Sequence, residues 1–167
     1  MSLPQKPLFR TVGGVMLFRP KGKLLILEDA LKPGEWECPQ GGINPGESII
    51  EGALRELHEE TAINPGHVQN IVQVPFSGQY IWRREKRFEY AEKHGIEPDT
   101  IGVDLNIIIG TLPQRVKVDI SRAKDKEFAS HRWMSFSDAL KRIKPHKGRI
   151  YTEAIQWYRN RENNTLD

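Results

Sequence analysis

Residues 36–63 read WECPQGGINPGESIIEGALRELHEETAI. Ser48, with Glu51 three positions later, makes a capping box, so a helix is predicted from Ser48 over residues 48–61. At about 100° per residue, Ile50, Ala53, Leu54 and Leu57 share one face, the contact with a core. Glu56, Glu59 and Glu60 cluster on an adjacent face, with Gly52 among them. Like charges three and four residues apart repel by a few tenths of a kcal/mol per pair, and Gly52 costs roughly 1 kcal/mol against alanine. The segment is less stable than a simple surface helix needs to be. A divalent cation resolves the conflict, because Mg²⁺ takes carboxylate oxygens and keeps waters and substrate phosphates as its other ligands. Gly52 is then read as leaving room beside the carboxylates. The alternative is a solvated acidic face.

The remainder of the chain sets the frame. Its 167 residues fit one domain, 1–167, able to bury a core without staples. A hydrophobic content of 38% with 28% charged residues favours a soluble globular class over disorder. The formal charge of +3 permits anionic substrates without arguing for nucleic acid by itself. Cys38 is the one cysteine, which excludes an intrachain disulfide and a Cys-based zinc site and fits a reducing compartment. No apolar run reaches transmembrane length, and MSLPQKPLFR lacks the apolar stretch of a secretory signal. The expectation is a cytoplasmic protein with no membrane partner.

Strands are expected at 11–18, 23–28, 68–76, 78–90, 103–112 and 131–136, with RVKVDI (115–120) as an edge strand. A turn is expected at Ser77-Gly78 and a loop over 91–102. Helices are expected at 138–144, capped by Ser137, and at 149–161. Strands with two or three helices in one chain suggest an α/β sandwich. Trp36 and Trp133 are read as core.

The spacing around the opening helix is specific. Gly41, five residues, Glu47, seven residues, then Arg55-Glu56-Leu57-His58-Glu59-Glu60-Thr61-Ala62-Ile63 resembles the Nudix box, G-x5-E-x7-R-E-U-x-E-E-x-G-U, with U aliphatic. Ala62 stands where the family has glycine, a departure that touches the turn and not the carboxylates. The resemblance implies a Nudix-type α/β/α sandwich with a mixed β-sheet between helices, and hydrolysis of a nucleoside diphosphate linked to another group. It implies that Glu56, Glu59 and Glu60 hold Mg²⁺, with Mn²⁺ as the alternative ion, and that the Gln40 carbonyl adds a ligand. Arg55 and Glu47 would orient the carboxylates, and Gly41 opens the box. Glu127, six residues before Trp133, matches a loop glutamate that serves many Nudix hydrolases as an extra ligand or general base. Glu59, Glu60, Arg55 and Glu127 are the catalytic candidates, with Asp119 and Asp125 as rivals of Glu127.

Pro-Gln-Gly-Gly at 39–42, Phe9-Arg10 with Gly14, EFASHRWMS and HKGRIY are similar to the branch of RNA 5′-pyrophosphohydrolases and dinucleoside polyphosphate hydrolases. That branch implies a nucleoside polyphosphate or an RNA 5′ end as partner. Arg10 and Lys147 would contact phosphate, His146 would stack on a base, and Arg83 in the basic cluster RREKR would steer the polyanion. Glu28-Asp29-Ala30 and the loop at 91–102 depart from the branch. They keep (deoxy)nucleoside triphosphate or dihydroneopterin triphosphate pyrophosphohydrolases in view. A non-catalytic nucleotide-binding module and an isoprenoid diphosphate isomerase acting through Cys38 are the readings from other classes.

Overall fold

The computed structural model describes residues 8–164, so the first seven residues of the N-terminal stretch searched for a signal lie outside it. Strands β1 (Leu8–Arg19) and β2 (Lys23–Asp29) lead into two short strands, β3 (Trp36–Glu37) and β4 (Gln40–Gly42), and then helix α1 (Ile49–Thr61). Strand β5 (Gln69–Ile81), helix α2 (Arg87–His94), β6 (Thr100–Thr111), β7 (Phe128–Ser135), α3 (Phe136–Leu140) and α4 (Pro145–Asn164) follow. The sheet runs β3-β2-β1-β6-β5, with β4 on β1 and β7 on β2. β1 and β6 pair in parallel and the other pairs are antiparallel, which makes the sheet mixed.

Period-two alternation sends successive strand residues to opposite faces. Met16, Leu24, Ile26, Leu105 and Ile107 join Ile150, Tyr151 and Ala154 of α4 in one core cluster. Val15, Leu17, Leu25, Leu27 and Ile108 join Ala53 and Leu57 of α1 in a second. A mixed sheet with apolar layers on both faces is the α/β/α sandwich. Trp36 is buried in the first cluster, and Trp133 packs on the second with the Arg19 guanidinium 4.2 Å from its ring. No helix among the described residues is long and apolar enough to cross a membrane.

Helix α1 starts where the capping box predicted. Ser48 accepts from the Glu51 amide at 3.2 Å and Glu51 from the Ser48 amide at 2.8 Å. Ala62, just past its end, is left-handed at φ 58°. A Cβ there costs about 1 kcal/mol or more. Ala62→Gly is therefore expected to raise the stability by about 1 kcal/mol, read as a higher denaturant midpoint with an unchanged slope.

Several sequence expectations fail. Ser77-Gly78 is not a turn. β5 runs through it with register irregularities, Ser77 bonds Asp104 at 2.7 Å, and Ile150 packs where a Cβ on Gly78 would stand. Residues 83–90 are not strand: a 3-10 turn at Arg84–Lys86 passes into α2, which Gly95 closes in the left-handed region. The first residues of the expected loop at 91–102 are thus helical, and β6 begins at Thr100. RVKVDI forms no strand. Val116 and Val118 pack on the core from an irregular segment, and Asp119 caps a turn at Ile120–Arg122. Ser135, not Ser137, caps α3, because β7 extends further at its start and stops there. The last helix begins earlier than 149, with Pro145 opening it.

Candidate active site

Arg55 ties the loop before α1 to the helix. Its guanidinium bonds both Glu47 oxygens at 2.7 and 3.1 Å and the Gly42 carbonyl at 2.7 Å. The same group reaches Glu56 at 2.8 Å and Glu59 at 3.3 Å. Arg55 holds the Glu47 carboxyl down at about 2, and the carboxylates in turn raise Arg55. Planar bidentate pairing of this kind is what Lys cannot reproduce.

Oxygens of Glu56, Glu59 and Asp125 lie within 4.8 Å of one another. The loop before β7 brings Asp125 there through its amide, which donates to the Glu59 carbonyl at 3.0 Å. Lys124 beside it reaches the Glu59 carboxylate at 3.2 Å. Glu60 is only 2% exposed and accepts from the Gln40 amide at 3.1 Å. Burial, and then Glu56 and Glu127, push its carboxyl well above the ordinary range. Burial also raises Glu56, against the pull of Arg55. Packed, partly desolvated carboxylates of one sign are costly unless a cation joins them, and all-oxygen donors suit a hard divalent ion.

The role that the sequence suggested for Gly52 falls to Gly41. A Cβ on Gly52 would run into the half-buried Ile43, so that gap is filled by an apolar side chain and leaves no room for an ion. A Cβ on Gly41 would meet the Glu56 carboxyl, so Gly41 is the position that admits a carboxylate against the backbone. Gln40 is clamped: the Tyr151 hydroxyl donates to its side-chain carbonyl at 3.2 Å, and its side-chain Nε2 donates to the Tyr80 hydroxyl at 3.4 Å.

A cavity of about 570 Å³ lies beside this centre, and Gln40, Gly41 and Glu127 line it. Arg10, Arg83, His146 and Lys147 line it too, so the structure brings the expected substrate residues into one space. Burial lowers Arg10 although Glu56, Tyr80 and Glu127 oppose the shift. Lys147 is paired with Glu37, and burial lowers its amine to about 8. The His146 ring packs on Tyr80 at 4.8 Å. Glu127 is over half exposed, with Lys93 at 3.9 Å. Lys86 of the RREKR cluster lines the wall as well, whereas sequence reasoning missed Lys32, Lys93 and Lys144, and the Tyr80–Gln40–Tyr151 clamp. The acidic end of β2 is engaged locally: Glu28 accepts from Gly34 and Ser130, and Asp29 from the amides of Leu31 and Lys32. Cys38 is fully buried, and burial pushes its thiol up to about 12, which disarms it as a nucleophile.

The NUDIX domain family model matches residues 7–154. The chain belongs to the NUDIX family. It is a Nudix hydrolase, an enzyme of phosphoanhydride bonds, and Nudix enzymes use divalent metal ions. An RNA pyrophosphohydrolase of Erythrobacter litoralis is 28% identical over 161 residues, covering 91% of this chain and 92% of the relative. One from Legionella pneumophila is 30% identical over 72% of this chain and 67% of its own length. Among solved structures, the E. coli dihydroneopterin triphosphate pyrophosphohydrolase superimposes with a TM-score of 0.69 at 16% identity, covering 89% of this chain and 99% of that one. A C. elegans Ap4A hydrolase gives 0.65 at 16% identity, over 90% and 98%. At such identities these Nudix structures speak for the fold.

Proposed function

We propose that this chain is a Mg²⁺-dependent pyrophosphohydrolase that cleaves a nucleoside polyphosphate, either a dinucleoside polyphosphate or a 5′-triphosphate RNA, by water attack on phosphorus. The observation that carries the reading is the cavity, lined by seven cationic and four anionic side chains, opening on Gln40, Gly41 and Glu127 beside the carboxylate group. Relatives named RNA pyrophosphohydrolases across most of the chain support it. Glu56, Glu59 and Glu60, with Asp125 and the Gln40 carbonyl, would hold the ion, with Mn²⁺ as the alternative. What a bound Mg²⁺ supplies is neutralisation of pyrophosphate charge and easier loss of a proton from the attacking water.

The chain's own groups do the rest. Arg55, anchored by Glu47, keeps Glu56 and Glu59 in place. Arg10 and Lys147 bind phosphate oxygens, Arg83 draws the polyanion to the mouth, and Tyr80 with His146 offers a stacking face for a base. Glu127 takes the water's proton or adds a ligand. One domain over residues 1–167 carries the reaction in the cytoplasm, in keeping with a single buried, unpaired thiol.

Incubation with Mg²⁺ and a panel of triphosphate RNA, dinucleoside polyphosphates, nucleoside triphosphates, dihydroneopterin triphosphate and sugar nucleotides, with both products identified, tests the reading. Fastest turnover of a sugar nucleotide would refute it, and a preference for simple triphosphates would move the substrate to the neighbouring branch. Cys38→Ala is expected to leave phosphate release intact, at a stability cost of about 1 kcal/mol for the lost buried contact. Loss of turnover in a folded Cys38→Ala protein would restore the thiol to consideration.

A further inference from the structure

The cavity has two aromatic faces, and the proposed chemistry uses one. Tyr80 with His146 forms the first, on the wall where Lys144 and Lys147 pair with Glu35 and Glu37. Trp82, at the end of β5, forms the second with two residues of α2. Its ring meets Tyr90 edge-on at 5.2 Å and lies near parallel to His94, tilted 26° with centroids 6.4 Å apart. Trp82, Tyr90 and His94 all line the cavity and all keep part of their surface exposed.

Of the cations that line this second wall, Lys86 pairs with Glu89 and Lys93 with Glu127, which leaves Arg83 uncommitted, with Arg84 next to it in the chain. Arg83 and Arg84 are exposed, and their side chains make no ion pair or hydrogen bond among the described residues. A partly exposed aromatic face beside uncommitted guanidinium groups is how single-stranded nucleotides are held: the base stacks and the phosphate meets the cation. One nucleoside needs one such face, and this cavity has two.

We infer that the wall from Trp82 to His94 is a second nucleotide site, which makes the substrate class a polyphosphate that carries two nucleosides. The substrate half of this inference rests on the pyrophosphohydrolase reading. Two sources share the chemistry, the far nucleoside of a dinucleoside polyphosphate and the second nucleotide of a 5′-triphosphate RNA. α2 exists to present this wall: the chain leaves the sheet at Trp82, and the helix returns Tyr90 and His94 to its ring.

Dissociation constants for ATP, Ap4A and the triphosphorylated dinucleotide pppApG, measured by calorimetry in EDTA so that no turnover competes, decide the matter. The wild-type protein is expected to bind one or both two-nucleoside compounds at least about tenfold more tightly than ATP. Trp82→Leu and, separately, the double change Arg83→Gln with Arg84→Gln are expected to reduce that advantage to about threefold or less. The arginines are exposed and unpaired, so the second variant tests the site even where Trp82→Leu fails to fold. An advantage for Ap4A alone assigns the dinucleoside source, and one for pppApG alone assigns RNA. Equal affinity for all three compounds in the wild type overturns the inference, as does the same fractional loss for ATP and the larger ligands in the variants. Tight, Trp82-dependent binding of a two-nucleoside compound without hydrolysis of any compound in Mg²⁺ would overturn the pyrophosphohydrolase reading and leave the second site standing.

Discussion

Glu60→Gln is expected to lose several orders of magnitude in metal-dependent rate while the protein stays folded. Glutamine keeps the volume and can still accept from the Gln40 amide, but it removes a charged ligand from the centre. The metal-free protein should become more stable, because burial and the neighbouring Glu56 disfavour the Glu60 carboxylate. The folded state holds the Glu60 proton more tightly than the unfolded chain, whose carboxyl titrates near 4.5. That preference stabilises the fold fully below the unfolded value and is lost as pH rises through the raised folded value. In EDTA, the melting temperature of Glu60→Gln should exceed that of the wild type most at alkaline pH, and the gap should shrink as pH falls. Full activity of Glu60→Gln at limiting Mg²⁺ would remove this residue from the metal centre. A pH-independent gap would remove the buried charge as its cause.

Glu127→Gln carries the second large effect. Glu127 is over half exposed at the cavity wall with Lys93 as its ion-pair partner, and its neighbours do not lock it in place. If it acts on the attacking water, kcat falls far more than KM changes, since the lost interaction belongs to the transition state. A base also leaves an acid limb in the rate profile, which the variant should lack. Asp125→Asn is the informative control. Its carboxylate stands with Glu56 and Glu59, so the change should raise the Mg²⁺ concentration for half-maximal rate by about tenfold or more. Asp119 is spent on Ser121, so Asp119→Asn should leave the rate near normal. Near-normal turnover in Glu127→Gln with collapse in Asp125→Asn would transfer the role. A large loss that spares the pH profile would make Glu127 a ligand.

What the sequence by itself determined is what short-range rules govern. Ser48 and Glu51 lie one turn apart, so their reciprocal bonds announce the start of α1 without help from the fold. The spacing from Glu56 to Glu60 places three carboxylates on one helix, because a helix converts sequence distance into direction, whereas the reach of Arg55 to Glu47 depends on how the loop before α1 folds back. The same rule made the buried stripe of Ala53 and Leu57 legible.

Contacts between distant segments were not legible in that way. RREKRFEY follows directly on the strand-like GQYIW and reads as its continuation. The helix there follows from the Lys86–Glu89 pair, the Gly95 stop, and the packing of Tyr90 on Trp82. Asp125 carries no local mark of its role, since a main-chain bond to Glu59 across 66 residues of chain brings it to the carboxylates. Gly52 looks in sequence like the position that makes room beside the carboxylates, and only packing shows that Ile43 fills that gap while Glu56 lies against Gly41. Tyr80 and Tyr151 reach Gln40 from β5 and α4, elements that meet because their apolar faces share a core. Local hydrogen bonding and periodicity specified the carboxylate helix, whereas burial of surfaces far apart in the chain decided what surrounds it.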